Sequence, residues 1–146
     1  MSTPTVDAKR VLKKALPLAA LASAGLNLVL YGVVTRVLGL PLAITQEPGA
    51  PLEPLGVGPV ISASVVPAVV AALLLIVLGR FLRRPVMVFI IISVIALIAT
   101  MAGPLNVSVD AATTRWVLAA MHVVAAASIV VVLVRRGTVT RKVGAS

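Results

Sequence analysis

Among the polar side chains within the otherwise apolar stretches of the sequence, five have types and positions that could support chemistry. They are His122, which is the only histidine of the chain, together with Asn27, Tyr31, Ser64 and Thr100. An imidazole can carry a proton or bind a metal or a porphyrin, whereas amides and hydroxyls can hydrogen-bond to a ligand. The plain alternative is that these groups bond to one another or to the backbone, as polar groups inside apolar helices usually do.

No pattern of catalytic residues accompanies these five side chains. All four acidic residues lie outside the apolar stretches, and the chain contains no cysteine. A carboxylate pair, a nucleophile beside a base and a metal-ligand cluster are therefore missing from those stretches. We expect a protein that is not an enzyme, with no catalytic residue, no cofactor and no metal site. Glu47 and Glu53 could together hold a divalent cation, but a flexible loop position favours exposure to water.

The composition is that of an integral membrane protein. Hydrophobic residues make up 60% of the 146 positions, only 12% are charged, and the mean hydropathy is +1.16. A membrane helix needs about 20 apolar residues, and four runs meet that length, at residues 15–38, 58–79, 86–104 and 114–134. We predict an all-α, integral membrane four-helix bundle over residues 15–136. It has a terminal segment at 1–14, a proline-rich outer loop at 39–57 and a tail at 137–146.

The first apolar run could also be a secretory signal. Its basic start and the small triplet Ala22-Ser23-Ala24 fit a cleavage site. The run nevertheless continues to Val34, which favours an uncleaved first span.

The distribution of basic residues predicts the orientation. Of 13 lysines and arginines, eleven flank the apolar runs on one side, and only Arg36 and Arg115 fall on the other. Cytoplasmic segments carry such an excess, so both termini are predicted to lie in the cytoplasm of a multi-pass protein of the plasma (bacterial inner) membrane.

The basic residues should contact anionic lipid headgroups. Nucleic acid is a poorer partner, because only 3% of residues are aromatic. Arg36 and Arg115 could bind an anion or a lipid phosphate at the outer mouth, or extend to the interface.

Counting helical rise places one polar residue of each span at a similar depth. At about 1.5 Å per residue, Asn27 and His122 both lie roughly 18 Å above the cytoplasmic surface. Ser64 and Thr100 come close to that level by the same count. We therefore predict a polar layer in which Asn27, Ser64 or a backbone carbonyl satisfies His122.

The spacing on span 1 predicts how spans 1 and 4 pack. Ser23, Asn27 and Tyr31 recur every fourth residue and so share one helical face. The face of span 4 that carries His122 is rich in alanine, and we expect it to pack against this polar face. Tyr31 could instead anchor the helix at the membrane interface.

Three features together resemble a known family. They are the basic turn Arg80–Pro85, the stop at Gly103-Pro104 and the stretch Thr113–Val124 with its Met121-His122 pair. This order resembles an uncharacterised family of small four-span membrane proteins from high-GC bacteria, known only as a domain of unknown function. The likeness covers residues 15–136 and implies no activity.

Two functions of different classes remain open. The first is a non-enzymatic accessory or scaffold subunit, or a binder of a lipid-like ligand, since no span contains an acid or a lysine. The second is a small transporter or channel, working alone or as an oligomer, with the polar layer around His122 lining the route. Other membrane subunits and further copies of the chain are both conceivable partners.

Overall fold

Four long apolar helices dominate the computed structural model, which describes residues 4–45, 51–106 and 112–140. They are span 1 (Ala8–Val37), span 2 (Val57–Phe81), span 3 (Pro85–Leu105) and span 4 (Ala112–Gly137), each long and apolar enough to cross a membrane. The predicted all-α four-helix bundle is confirmed.

Two of the spans change helical geometry along their length. In span 1, five-residue π-helical segments at Val11–Ala15 and Val33–Val37 flank the α-helical part Leu16–Gly32. In span 3, the α-helix Pro85–Thr100 is followed by the short helix Ala102–Asn106. The break occurs just before Gly103-Pro104, the pair whose sequence predicts a stop.

Span 1 begins at Ala8, well before the apolar run that starts at residue 15. Asp7 caps this early start, because its carboxylate accepts a hydrogen bond of 3.0 Å from the Arg10 N–H. A charged helical turn has low hydropathy, so a search for apolar runs does not detect it, whereas the cap stabilises it as a helix. The basic residues of the first segment therefore lie on a helix.

A two-stranded antiparallel sheet joins the two ends of the chain. Strand β1 (Pro4–Val6) pairs with strand β4 (Thr138–Thr140), with Thr5 opposite Val139. The Asp7 N–H continues this contact with a bond of 3.1 Å to the Gly137 carbonyl. Sequence patterns predict neither strand, because three residues are too few to show a period of two.

Two glycines, at the ends of spans 2 and 4, each lie close to a valine side chain of the N-terminal segments. A Cβ on Gly79 would come within 2.5 Å of Val6 Cβ, and one on Gly137 within 2.8 Å of Val11 Cγ2. Real Cβ atoms essentially never show distances under 3.0 Å, and both of these are shorter. At both positions glycine therefore allows a valine side chain to approach closely.

The outer loop forms a second, shorter pairing. Strand β2 (Ala43–Ile44) pairs with strand β3 (Glu53–Pro54), and the Leu55 N–H donates to the Leu42 carbonyl at 2.7 Å. Leu42 and Leu55 are both buried. Glu53 is exposed, whereas Glu47 lies outside the described residues.

The buried apolar residues form two clusters with polar residues between them. The cluster near the paired termini is built from spans 1 to 4 and contains Val11, Ala15, Ala19, Ala68, Ala72, Leu75, Phe89, Ile129 and Leu133. The cluster beneath the outer loop contains Val34, Leu42, Leu55, Val60 and Met121. Ser23 and Asn27 lie between the two clusters on span 1, and Ser64 lies between them on span 2.

Candidate functional site

A buried hydrogen bond links spans 1 and 2. Asn27 is 4% exposed and donates from Nδ2 to the Ser64 hydroxyl at 3.0 Å, and that hydroxyl in turn donates to the Val60 carbonyl at 2.9 Å. A serine hydroxyl has one hydrogen, so once it bonds Val60 it can only accept from Asn27. This chain of donors fixes the orientation of the amide. Its oxygen, Oδ1, is buried with no hydrogen-bond partner among the described residues.

A second hydrogen bond links spans 3 and 4. The Thr100 hydroxyl lies 2.8 Å from His122 Nε2 and 2.7 Å from the Ala96 carbonyl. Threonine in a helix commonly donates to the carbonyl four residues earlier. With its hydrogen used in this way, Thr100 accepts from an Nε2–H of His122. The neutral imidazole then has an unprotonated Nδ1, which can accept one more hydrogen bond.

Asn27 and His122 line one cavity of about 380 Å³. This is within the range of about 300–1,000 Å³ that is typical of small-molecule sites. The other lining residues are small or apolar: Ala63, Gly103, Pro104, Leu118, Met121 and Ala125. A mainly apolar cavity with a few convergent polar groups is the usual form of a ligand site.

Pro67 leaves one carbonyl of span 2 without its usual helical donor. Span 2 continues through Pro67 as an α-helix, and proline has no N–H to donate to the carbonyl four residues earlier. That carbonyl belongs to Ala63, which lines the cavity. The cavity is therefore bordered by a residue whose main-chain oxygen lacks its helical donor.

The predicted polar layer exists as two separate pairs. The expectation that Asn27, Ser64 or a backbone carbonyl would bond His122 is wrong, since the imidazole bonds Thr100 instead. The reason is the rotation of span 4, whose buried stripe runs through Met121 and Ala125. His122, next to Met121, is only half-buried and bonds toward span 3.

The remaining predicted site residues lie outside the cavity lining. The Tyr31 hydroxyl donates to the Leu55 carbonyl at 2.7 Å and so fastens the outer loop to span 1. Arg36 is exposed. Arg115 is half-buried, and its Nε has no hydrogen-bond partner in the part of the chain that the structure describes.

Some functional candidates carry no signal in the sequence. Gly103, Pro104 and Ala63 border the cavity, yet small residues and a helix stop look the same whether or not a cavity is present. Ser23 is fully buried, and its hydroxyl has no partner among the described residues. Its position one turn before Asn27 predicts that it lies on the polar face of span 1. The position does not predict that its hydroxyl lacks a hydrogen-bond partner.

One end of the bundle is strongly basic. The contacts of Val6 with Gly79 and of Asp7 with Gly137 bring together the start of span 1, the end of span 2 and the end of span 4. The exposed basic residues of these segments are Lys9, Arg10, Lys13, Lys14, Arg80, Arg83, Arg84, Arg135 and Arg136. Arg36 and Arg115 lie near the opposite ends of spans 1 and 4. Arg141 and Lys142 lie outside the described residues.

Comparison with known proteins gives one match. The sequence model of a family of unknown function, DUF6069, matches residues 7–139. This confirms the resemblance to an uncharacterised family, while the high-GC bacterial origin stays a prediction. The chain matches no curated protein and no solved structure.

Proposed function

The chain belongs to this family of unknown function, and we propose that it is a non-enzymatic multi-pass membrane protein that binds a lipid-like ligand between its helices. The observation that carries the proposal is a mainly apolar cavity of about 380 Å³ that Asn27 and His122 line. A bound ligand with a small polar head and an apolar body would match this lining.

The size and lining of the cavity support a single-chain ligand. A volume of about 380 Å³ is near the lower end for ligand sites, so one chain with a small head suits it better than a whole phospholipid. Leu118, Met121 and Ala125 supply an apolar wall on span 4. Methionine adapts its shape easily, which suits a flexible chain.

Filling the cavity tests this proposal. Gly103 lines the cavity, and a Cβ built there meets nothing within 4 Å, so Gly103→Leu should occupy the space without a clash at Cβ. Gly25→Leu is the matched control, because Gly25 also has open space but is exposed on the outside of span 1. The protein is extracted in polymer nanodiscs, which keep its surrounding lipid, and the bound molecules are identified by mass spectrometry.

We expect one species to be enriched over bulk lipid in the wild type and in Gly25→Leu, and to fall severalfold in Gly103→Leu. The same bulk composition in all three proteins would overturn the ligand-binding role. A scaffold or accessory role would then be the better account of the bundle.

Transport is the second candidate, and the placement of His122 favours it. A titratable ring that lines the cavity and bonds Thr100 could pass a proton between the spans. Proton flux in liposomes that is lost in His122→Ala, and kept in Ser93→Ala, would support this role. Ser93 is a suitable control, because its hydroxyl bonds only within span 3, to the Phe89 carbonyl. Absence of flux under an imposed gradient would leave ligand binding.

The orientation belongs to the same proposal. The basic end lies in the cytoplasm, at the inner face of the plasma membrane, and contacts anionic headgroups. Nine exposed lysines and arginines at that end support this placement, because cytoplasmic segments carry the excess of basic residues.

A further inference from the structure

The cavity opens at the surface of the bundle. Two of its lining residues are exposed, Ala63 on span 2 and Gly103 on span 3, and a Cβ built on Gly103 meets nothing within 4 Å. In a protein that spans a membrane, the exposed surface of an apolar helix faces lipid chains. An alkyl chain can therefore reach the cavity sideways from the bilayer.

The opening lies in the half of the bundle that carries the outer loop. By helical rise, Ala63 is about 9 Å from the start of span 2 at Val57. Leu118 is also about 9 Å from the start of span 4 at Ala112, and Gly103 lies near the end of span 3. The cavity is thus level with the chains of the leaflet on this side of the membrane.

The lining itself offers no charge to a ligand. Asn27 donates to Ser64 and His122 bonds Thr100, so both polar lining residues already have a partner on a neighbouring span. Among the described residues, none with a charged side chain lines the cavity. The interior therefore suits an apolar chain, and a charged head would have to find its partner at the rim.

A cation lies beyond the outer end of the cavity on span 4. Arg115 precedes His122 by two helical turns and Leu118 by about one, so the three lie on nearly the same side of the helix. The backbone of Arg115 is about 4.5 Å beyond Leu118 along the helix axis. Side chains on a helix lean toward its N-terminus, which here is the end near the outer loop. Because Arg115 is half-buried and its Nε is inaccessible, the side chain lies against the bundle instead of extending into water.

We propose that the ligand is a single-chain anionic amphiphile whose alkyl chain fills the cavity and whose carboxylate or phosphate head pairs with the Arg115 guanidinium. A half-buried cation loses part of its hydration, and an anion beside it offsets this cost through charge-assisted hydrogen bonds. The chain enters from the bilayer through the opening at Ala63 and Gly103. This inference rests on the proposed ligand-binding function, and it adds the charge of the head and the residue that binds it.

Matched photoreactive probes test the inference on the wild-type protein. Each has the same alkyl chain with a diazirine, and the heads are a carboxylate, a phosphate, a hydroxyl and a trimethylammonium group. Nanodiscs of phosphatidylcholine are used, because a bilayer without net charge does not itself favour one head over another. Labelling of the peptic peptide that contains Leu118, Met121 and Ala125 is measured by mass spectrometry.

The better of the two anionic probes should label this peptide at least about tenfold more than the hydroxyl probe, the ratio expected for one charge-assisted hydrogen bond. The trimethylammonium probe should label it no more than the hydroxyl probe. Stronger labelling by the carboxylate would indicate a fatty acid as the natural ligand, and stronger labelling by the phosphate a single-chain phospholipid.

Two arginine variants test the role of Arg115. In Arg115→Gln the ratio of anionic to hydroxyl labelling should fall to about one. Arg36→Gln is the matched control, because Arg36 lies near the same end of the bundle but is exposed on span 1 and does not line the cavity. This variant should keep the wild-type ratio. An anionic preference that persists in Arg115→Gln would overturn the pairing of the head with Arg115.

The outcomes separate this inference from the function on which it rests. Equal labelling by the anionic and hydroxyl probes would overturn the anionic ligand and leave ligand binding standing. Asp110, which lies outside the described residues, would then be the better candidate for the partner of Arg115. Labelling of the cavity peptide by none of the probes would overturn both. The comparison of heads on the wild type does not depend on the folding of any variant.

Discussion

The Asn27 side chain donates to the Ser64 hydroxyl across the interface of spans 1 and 2, at 3.0 Å and in a buried position. Both residues are nearly or fully inaccessible, at 4% and 0% exposure. The bond holds two helices together and leaves the amide oxygen buried with no hydrogen-bond partner among the described residues. Variants of these two residues can measure how much the bond contributes to packing.

Ser64→Ala should destabilise the bundle by about 1 kcal/mol, since it removes the acceptor that the Asn27 Nδ2 has on span 2. Unfolding in mixed micelles measures this. Ser62→Ala is the control, because Ser62 is exposed and bonds only the Pro59 carbonyl within its own helix. The double variant Asn27→Leu/Ser64→Ala should be less destabilised than the sum of the single variants, since neither partner is then left unpaired. Strict additivity would show that the bond contributes nothing.

Gly79→Ala should release β1 from the end of span 2. The added Cβ would come within 2.5 Å of Val6 Cβ, and overpacking of this kind costs about 1–3 kcal/mol. Hydrogen exchange of the β1 amides should rise relative to the wild type. Gly58→Ala on the same span meets nothing within 4 Å and should leave exchange unchanged. Val6→Gly should restore protection in the Gly79→Ala background, and failure to do so would mean that the contact with Val6 is not the cause.

The sequence is sufficient to predict the four spans but not the partners of their polar groups. Span lengths follow from the thickness of the hydrocarbon layer, which a run of apolar residues must match. Depth follows from helical rise, so Asn27, Ser64, Thr100 and His122 could be assigned to similar levels. Rotation of a helix about its axis does not follow from either quantity. Span 4 is rotated so that Met121, rather than its neighbour His122, faces the core. This rotation is enough to give His122 a different hydrogen-bond partner, Thr100.

Contacts between segments that are far apart in the sequence could not be predicted from it either. The pairing of Thr5 with Val139 joins the two ends of the described chain, and neither three-residue strand has a pattern of its own. The cavity is bounded by Gly103 and Ala63, whose small side chains indicate close packing as readily as open space. The way in which the spans pack in three dimensions decides between these two possibilities.

Tyr31→Phe should loosen the outer loop without unfolding the bundle. It removes the 2.7 Å hydrogen bond from the tyrosine hydroxyl to the Leu55 carbonyl and keeps the ring. We expect faster hydrogen exchange at the Leu55 amide, which pairs with the Leu42 carbonyl, while the amides of span 2 stay protected. Thr35→Val, which loses a hydroxyl one turn away, should not change exchange in the loop. Unchanged exchange at Leu55 in Tyr31→Phe would show that the hydrophobic contacts alone fasten the loop.

The orientation can be measured with single cysteines, since the chain has none of its own. Leu52→Cys in the outer loop and Leu82→Cys in the basic turn both replace exposed leucines, at 45% and 40% exposure. A membrane-impermeant maleimide applied to intact cells should label the first variant, and the second only after permeabilisation. This follows from the excess of basic residues at the end that carries Leu82. The reverse pattern would place the termini outside the cytoplasm.

The tautomer of His122 gives the most direct test of the polarity of the cavity. Because it is the only histidine, selective ¹⁵N labelling of a protein purified without a histidine tag reports on one imidazole. The Thr100 hydroxyl lies 2.7 Å from the Ala96 carbonyl and 2.8 Å from Nε2, and we expect it to donate to the carbonyl and accept from a protonated Nε2. Nδ1 should then show the shift of an unprotonated ring nitrogen. Thr100→Val should mix the two tautomers, whereas Ser93→Ala should leave the spectrum unchanged. A protonated Nδ1 in the wild type would mean that Thr100 donates to the ring and that the expected tautomer is wrong.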